Sequence, residues 1–199
     1  MFLTHFPAMI VSEASGWSEV DRSHRPYRWY LTRLVLPLSL LPSLLYIYAE
    51  LAHPGVIFPL AKPAALTGAQ IFASGLVLYI AQVAMVAYMA MLIQRTALAR
   101  DHDPGFDGAY ALAAIAPLPL WLGSLALSVP NLGFNLVVLV VALLASIALI
   151  RHGVRPLLHI NDDRTAHYVA DVVTMAGMVA WIGVLLMSGL VLSIMIGPR

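Results

Sequence analysis

Residues 71–93 contain no charged residue, and this stretch limits the possible folds of the chain more than any other feature of the sequence. About 20 residues of α-helix cross the hydrocarbon core of a bilayer, so a run of this length is typical of a transmembrane helix. Four further apolar stretches have the same character, at residues 34–51, 109–129, 134–150 and 168–196. The sequence therefore predicts an all-α, polytopic membrane protein with five transmembrane helices.

The composition agrees with this class of protein. Of the 199 residues, 61% are hydrophobic and 11% are charged, which leaves too few charges to solvate the surface of a soluble domain. The chain has no cysteine, which excludes disulfides, cysteine zinc sites and thiol chemistry. Its basic residues form no stripe, so we expect no nucleic-acid partner. The expected partner is the lipid bilayer, together with a membrane-protein partner or a second copy of the chain.

The distribution of positive charge predicts how the helices are oriented. If the N-terminus is cytoplasmic, nine basic residues lie on the cytoplasmic side and two on the periplasmic side. The nine are Arg22, Arg25, Arg28, Arg33, Arg95, Arg100, Arg151, Arg155 and Arg164, and the two are Lys62 and Arg199. Cytoplasmic loops carry the excess of Lys and Arg, so we predict a cytoplasmic N-terminus and a periplasmic C-terminus.

The sequence divides into a cytoplasmic N-terminal segment, residues 1–33, and a five-span membrane domain, residues 34–199. Within the first segment, Phe6, Ile10, Trp17 and Val20 recur at roughly helical spacing, with polar residues between them. This pattern predicts a short interfacial helix with Trp17 at the depth of the lipid headgroups. A flexible tail is the alternative interpretation.

The third predicted span contains two prolines near its middle, Pro117 and Pro119. A proline inside a helix removes a backbone donor and clashes with the preceding turn, and in hydrocarbon the freed carbonyl groups need partners inside the protein. We therefore predict a hinge at these prolines, packed against spans one and two. Tyr110 is expected to pack inside the bundle near the cytoplasmic end. The link at residues 131–133 is so short that spans three and four must be antiparallel neighbours.

Several short segments resemble the Yip family of Ypt/Rab-interacting membrane proteins, and in particular its bacterial inner-membrane branch. They are SGW followed by a basic aromatic segment, VLPLSLLPSLL in the first span, DGAYALAAIAPLPLWL in the third, and RPLLHIND before the last. The resemblance implies five spans, a cytoplasmic N-terminus and a location in the bacterial inner membrane. It also implies that eukaryotic relatives bind prenylated Rab GTPases. The usual Gly-Tyr pair of the family is Gly108-Ala109-Tyr110 here.

No catalytic signature occurs in the chain, which lacks the HExxH, GxSxG, P-loop and GxGxxG patterns. We therefore expect no enzyme activity and no cofactor. A weak set of candidate metal ligands lies in and after the fourth loop: His159, Asp162, Asp163 and His167. Solvated loop residues are the alternative interpretation of this set.

His167 and Asp171 lie four residues apart, so they share a face at the start of the fifth span, and Thr174 continues that face. We hypothesise that Asp171 faces the bundle and pairs with His167 or with an arginine of the N-terminal or fourth segment. The alternative places Asp171 at the membrane interface, because residues 172–196 alone are long enough to cross the hydrocarbon core.

Two classes of function remain open. The first is a structural or partner-binding membrane organiser without catalysis, which the family resemblance favours. The second is a small, dimeric transporter or channel, built on the proline-broken spans one and three and on the polar groups of Gln82, Tyr110 and Asp171. A hydrated polar path between the helices would distinguish the second class from the first.

Overall fold

In a computed structural model, the described residues, 2–12, 16–54 and 66–196, are mainly helical and include no β-strand. We number the helices α1 to α7: Phe2–Val11, Trp17–Arg22, Tyr27–Ala52, Gly68–Leu98, Gly105–Ser128, Leu132–Leu158 and Asp163–Ile196. The last five are long and apolar enough to cross a membrane. This confirms the predicted all-α, five-span architecture, while the orientation of the termini stays a prediction.

The helices extend beyond the predicted spans. For example, α3 begins at Tyr27 rather than at residue 34, and α6 continues to Leu158 rather than to residue 150. The apolar stretches mark only the part of each helix that lies in hydrocarbon. A helix such as α4, with 31 residues, is about 46 Å long and exceeds the hydrocarbon core of about 30 Å. Both ends of α4 can therefore extend beyond the hydrocarbon core, and Arg95 lies in its last turn.

Helix α5 is broken near its middle. A regular segment, Gly105–Ile115, is followed by a turn at Ala116 and Pro117, a second segment, Leu118–Gly123, and a 3₁₀ segment, Ser124–Ser128. Pro117 has no N–H to donate to the preceding turn, and Pro119 lies in the first turn of the new segment, where no donor is needed. The break thus follows directly from the two prolines.

Packing around α5 organises the bundle. Its first segment contacts α4, α6 and the start of α3, and its second segment contacts α6 and α3. The contact between α5 and α6 confirms that spans three and four are neighbours. Helix α7 packs on α4 and α6. Leu112 and Ile115 of α5, Leu149 and Val154 of α6 and Val169 of α7 are almost fully buried in the shared core.

The N-terminal segment packs on the bundle through α1 and α2, which both contact α6. The side chain of Trp17 is fully buried, and its indole N–H donates to the carbonyl oxygen of Met9 at 3.0 Å. The expected helix is therefore two short helices, and Trp17 contacts protein rather than lipid headgroups. Helical spacing along the sequence could not show which part of the protein covers Trp17.

Candidate functional site in the bundle interior and at its basic end

An apolar cavity lies beside the break in α5 and has a volume of about 200 Å³. All five spans contribute to its wall. Representative lining residues are Pro42 from α3, Gln82 and Met89 from α4, Pro117 and Trp121 from α5, Ser146 from α6, and Thr174 and Trp181 from α7. None of the lining side chains is charged. This cavity suits a small apolar molecule and offers no ionisable group to a polar solute.

Two hydroxyl groups in the cavity wall are buried without a hydrogen-bond partner. They belong to Ser146 and Thr174, whose residues are 5% and 8% exposed, and neither oxygen bonds to another described group. A buried hydroxyl without a partner destabilises the fold by about 1–3 kcal/mol. The two oxygens are therefore the polar groups of the cavity that are best placed to bond to a molecule inside it.

Gln82 fastens α4 to α3 rather than lining a polar path. Its Nε2 donates to the carbonyl oxygen of Ser39 and to the hydroxyl of Ser43, both at 3.4 Å, and to the carbonyl oxygen of Leu78 at 3.3 Å. One turn earlier, the hydroxyl of Tyr79 donates to the carbonyl oxygen of Leu36 on α3 at 3.3 Å. These long bonds satisfy polar groups between two helices that lie in lipid.

Consecutive spans alternate in direction, so α3, α5 and α7 begin where α4 and α6 end. We call this the basic end, because it carries the arginines of the N-terminal, second and fourth segments. Tyr110 lies there, 2% exposed, with its ring 5.8 Å from that of Tyr27 and 5.7 Å from that of Phe106. Next to this aromatic cluster, the Asp107 carboxylate accepts from the backbone N–H of Tyr27 at 2.7 Å. This bond joins the start of α3 to the start of α5.

The predicted row of His167, Asp171 and Thr174 does not form. His167 Nδ1 contacts the carbonyl oxygen of Asp163 at 2.7 Å, and Thr174 is buried, whereas His167 and Asp171 are exposed. The Asp171 carboxylate accepts from Arg151 on α6 at 3.1 Å. Its partner is thus an arginine of the fourth segment. Its side chain is nevertheless 59% exposed, so it does not face the bundle interior.

The candidate metal ligands do not converge on one site, and two of them contact other charged side chains. His159 Nε2 lies 3.1 Å from Asp21 on α2, and Asp163 pairs with Arg155 at 2.9 Å. The described residues hold no group of three or more side chains arranged to bind a metal. Asp162 immediately precedes α7, and the hydroxyl and the backbone N–H of Thr165 donate to its carboxylate at 2.7 and 2.9 Å. These bonds hold the pKa of Asp162 below its ordinary value.

Sequence reasoning missed two contacts that fasten the N-terminal segment to the bundle. One is the contact of the Asp21 carboxylate with His159 Nε2, and the other is the packing of Trp17 against Gly153 of α6. The sequence offered two weak signals: Asp21 is an acidic residue in an arginine-rich segment, and Gly153 is a glycine within a predominantly apolar helix. Neither feature indicates its partner, because both contacts join residues more than 130 positions apart.

The five long apolar helices define a multi-pass membrane protein whose described interior is mostly apolar and whose described arginines lie at one end. The family model of the Yip1 domain matches residues 8–184, which include the last four residues of α1, all of α2 and most of α7. The chain belongs to the Yip1 domain family, and this confirms the resemblance found in the sequence. No curated protein and no solved structure matches the chain significantly.

Proposed function

We propose that this protein is a non-catalytic membrane organiser that binds another membrane protein through the C-terminal half of α7. The observation that supports this proposal is that no described side chain of α7 after Val184 is buried. A Cβ atom added at Gly183 or Gly189 would meet no atom within 4 Å. The rest of the described chain therefore leaves one face of this half of the helix exposed.

The chemistry of this half-helix suits a second transmembrane helix. Leu186, Leu190 and Ile194 are 69%, 60% and 71% exposed, and Gly183 and Gly189 let a neighbouring backbone approach closely. In lipid, association of helices depends on close packing at small residues rather than on the hydrophobic effect. The partner would be a helical membrane protein, with a second copy of this chain as one case. A bacterial inner membrane is the location implied by the family resemblance.

The transporter or channel alternative has less support. Such a function needs a hydrated polar path, and the central cavity is lined by uncharged, mostly apolar side chains. Gln82 bonds to α3, and Asp171 bonds to Arg151 at the basic end. The polar residues that suggested a path therefore do not converge on one.

Photocrosslinking in native membranes tests the proposed function. A photoreactive residue at Leu186 should capture one defined membrane protein, identified by mass spectrometry. The matched control is Val141 on α6, which is 60% exposed, similar to Leu186, and which should yield lipid adducts only. The capture at Leu186 should also decrease when Gly183→Leu blocks close approach. Lipid adducts alone at Leu186, or the same proteins at both positions, would contradict the proposal.

A flux measurement separates the two classes of function. Purified protein in sealed liposomes should not increase the release of ions or of small polar solutes above that of empty liposomes. A saturable flux that is lost in Gln82→Leu would support the transporter instead.

A further inference from the structure

A surface groove lies between α4 and α7 at the basic end, with a volume of about 410 Å³. Its lining includes Arg95 and Arg100 from the end of α4, and Tyr168 from the start of α7. Further along α4 the groove is lined by Tyr88 and Met91. No carboxylate lines the groove.

The two arginines of the groove differ from those of α6. Arg151 and Arg155 each bind a carboxylate of α7, whereas Arg95 and Arg100 have no carboxylate partner among the described residues. The Arg100 guanidinium lies 3.8 Å from the ring centroid of Tyr168, in a cation–π contact. Such stacking orients a guanidinium and leaves its in-plane N–H groups free to bind an anion. The groove therefore presents two guanidinium groups that can bind an anion.

The groove changes from charged to apolar along the helix axis. Arg95 lies in the last turn of α4, at the level of the headgroups. Tyr88 lies seven residues earlier, about 10 Å deeper in the membrane. Tyr88 and Met91 are 56% and 46% exposed, so they form an uncovered apolar strip below the two arginines.

We propose that this groove binds a single anionic phospholipid. Its phosphate lies between the guanidinium groups of Arg95 and Arg100, and one acyl chain lies along Tyr88 and Met91. The positive charge of the groove is complementary to an anionic headgroup. The groove has no carboxylate that would attract a choline or ethanolamine group. The continuous apolar strip distinguishes a lipid from a free phosphate ion.

Native mass spectrometry of the full chain in mild detergent tests this inference. Delipidated protein is titrated with phosphatidylglycerol and, separately, with phosphatidylcholine that has the same acyl chains. We expect one phosphatidylglycerol to bind at concentrations where phosphatidylcholine does not. In the double variant Arg95→Gln/Arg100→Gln, half occupancy should need about tenfold more phosphatidylglycerol, because both charge-assisted contacts are lost.

The matched control removes the same charge from the same end. Arg25 and Arg33 are exposed arginines outside the groove, and Arg25 also stacks on an aromatic ring, that of Trp29. Arg25→Gln/Arg33→Gln should keep the first binding event within about twofold of the wild type, since only non-specific attraction is reduced. Equal losses in the two double variants, or no loss in either, would overturn the inference.

Two further measurements identify the ligand. Excess soluble glycerol phosphate should not displace the bound lipid, and displacement would mean that the groove recognises a free phosphate instead. Met91→Gln should weaken binding without changing the charge, since it places a polar group against the acyl chain. If the groove variant does not fold, the titration of the wild type still tests the inference. Equal binding of phosphatidylglycerol and phosphatidylcholine to the wild type would refute the site.

Discussion

The ring of Trp17 lies so close to α6 that a Cβ atom at Gly153 would stand 2.6 Å from Cη2 of the indole. The same Cβ would stand 2.7 Å from Cδ1 of Leu112 on α5. The N-terminal segment, α5 and α6 therefore meet at one point where only glycine fits. Because Trp17 is fully buried, its ring cannot move aside without disturbing α1 and α2.

Gly153→Ala should destabilise the protein by about 1–3 kcal/mol, the usual effect of overpacking in a core. The change would be measured as a lower melting temperature in mild detergent. Gly183→Ala is the control, because a Cβ there meets open space and alanine favours the helix. Equal melting temperatures for the two variants would show that Trp17 does not pack on Gly153 as described.

Asp107→Ala should loosen the start of α3. The carboxylate accepts from the Tyr27 N–H at 2.7 Å, and its removal costs about 1 kcal/mol, the ordinary contribution of an intramolecular hydrogen bond. Hydrogen exchange should accelerate at residues 27–30 and stay unchanged in α4. Asp107→Asn keeps an acceptor oxygen and should have a smaller effect. If Asp107→Ala and Asp107→Asn both exchanged at the rate of the wild type, the hydrogen bond would contribute nothing to stability.

The spans could be predicted from the sequence because bilayer thickness imposes a length on each helix and excludes charge from its middle. The break at Pro117 could be predicted for a similarly local reason, the missing N–H of proline. The partners of Trp17 and Asp21 could not, because they depend on which helices become neighbours. The sequence pattern left two kinds of partner open for Asp171, His167 or an arginine, and could not choose between them, because the contact with Arg151 joins two different helices.

Asp162 at the start of α7 supplies a prediction about pH. Hydrogen bonds from Thr165 lower the pKa of Asp162 in the folded state, so this carboxylate stabilises the fold above its ordinary pKa. That contribution is lost as the pH falls through the lowered pKa. Asp162→Ala should therefore lower the melting temperature at neutral pH, and the difference from the wild type should vanish in acid. Asp162→Asn also removes the titrating group, so its difference from the wild type should change with pH as it does for Asp162→Ala, whereas its retained acceptor oxygen should make it the more stable of the two variants.

Reporter fusions test the predicted orientation of the helices. The nine arginines assigned to the cytoplasmic side predict that a reporter at Met1 is active in the cytoplasm and one at Arg199 in the periplasm. Both termini lie outside the described residues. Signals from the same side would contradict a five-span topology, and exchanged signals would contradict the positive-inside assignment.

A double-mutant cycle on Arg151 and Asp171 tests whether the Asp171 carboxylate contributes to stability. Both side chains are about 60% exposed, so the pair should contribute no more than about 1 kcal/mol, and less in high salt. A double-mutant cycle of Asp171→Asn and Arg151→Gln isolates this contribution from the other effects of each change. We expect the double variant to melt at a temperature above that given by adding the two single losses. This coupling should decrease as the salt concentration rises. Helix α7 is about 51 Å long and the hydrocarbon core is about 30 Å thick, so Asp171, near the start of the helix, can lie at the interface where ions have access. Strict additivity at low salt would mean that the two groups do not interact, and coupling that is insensitive to salt would place the pair inside the membrane.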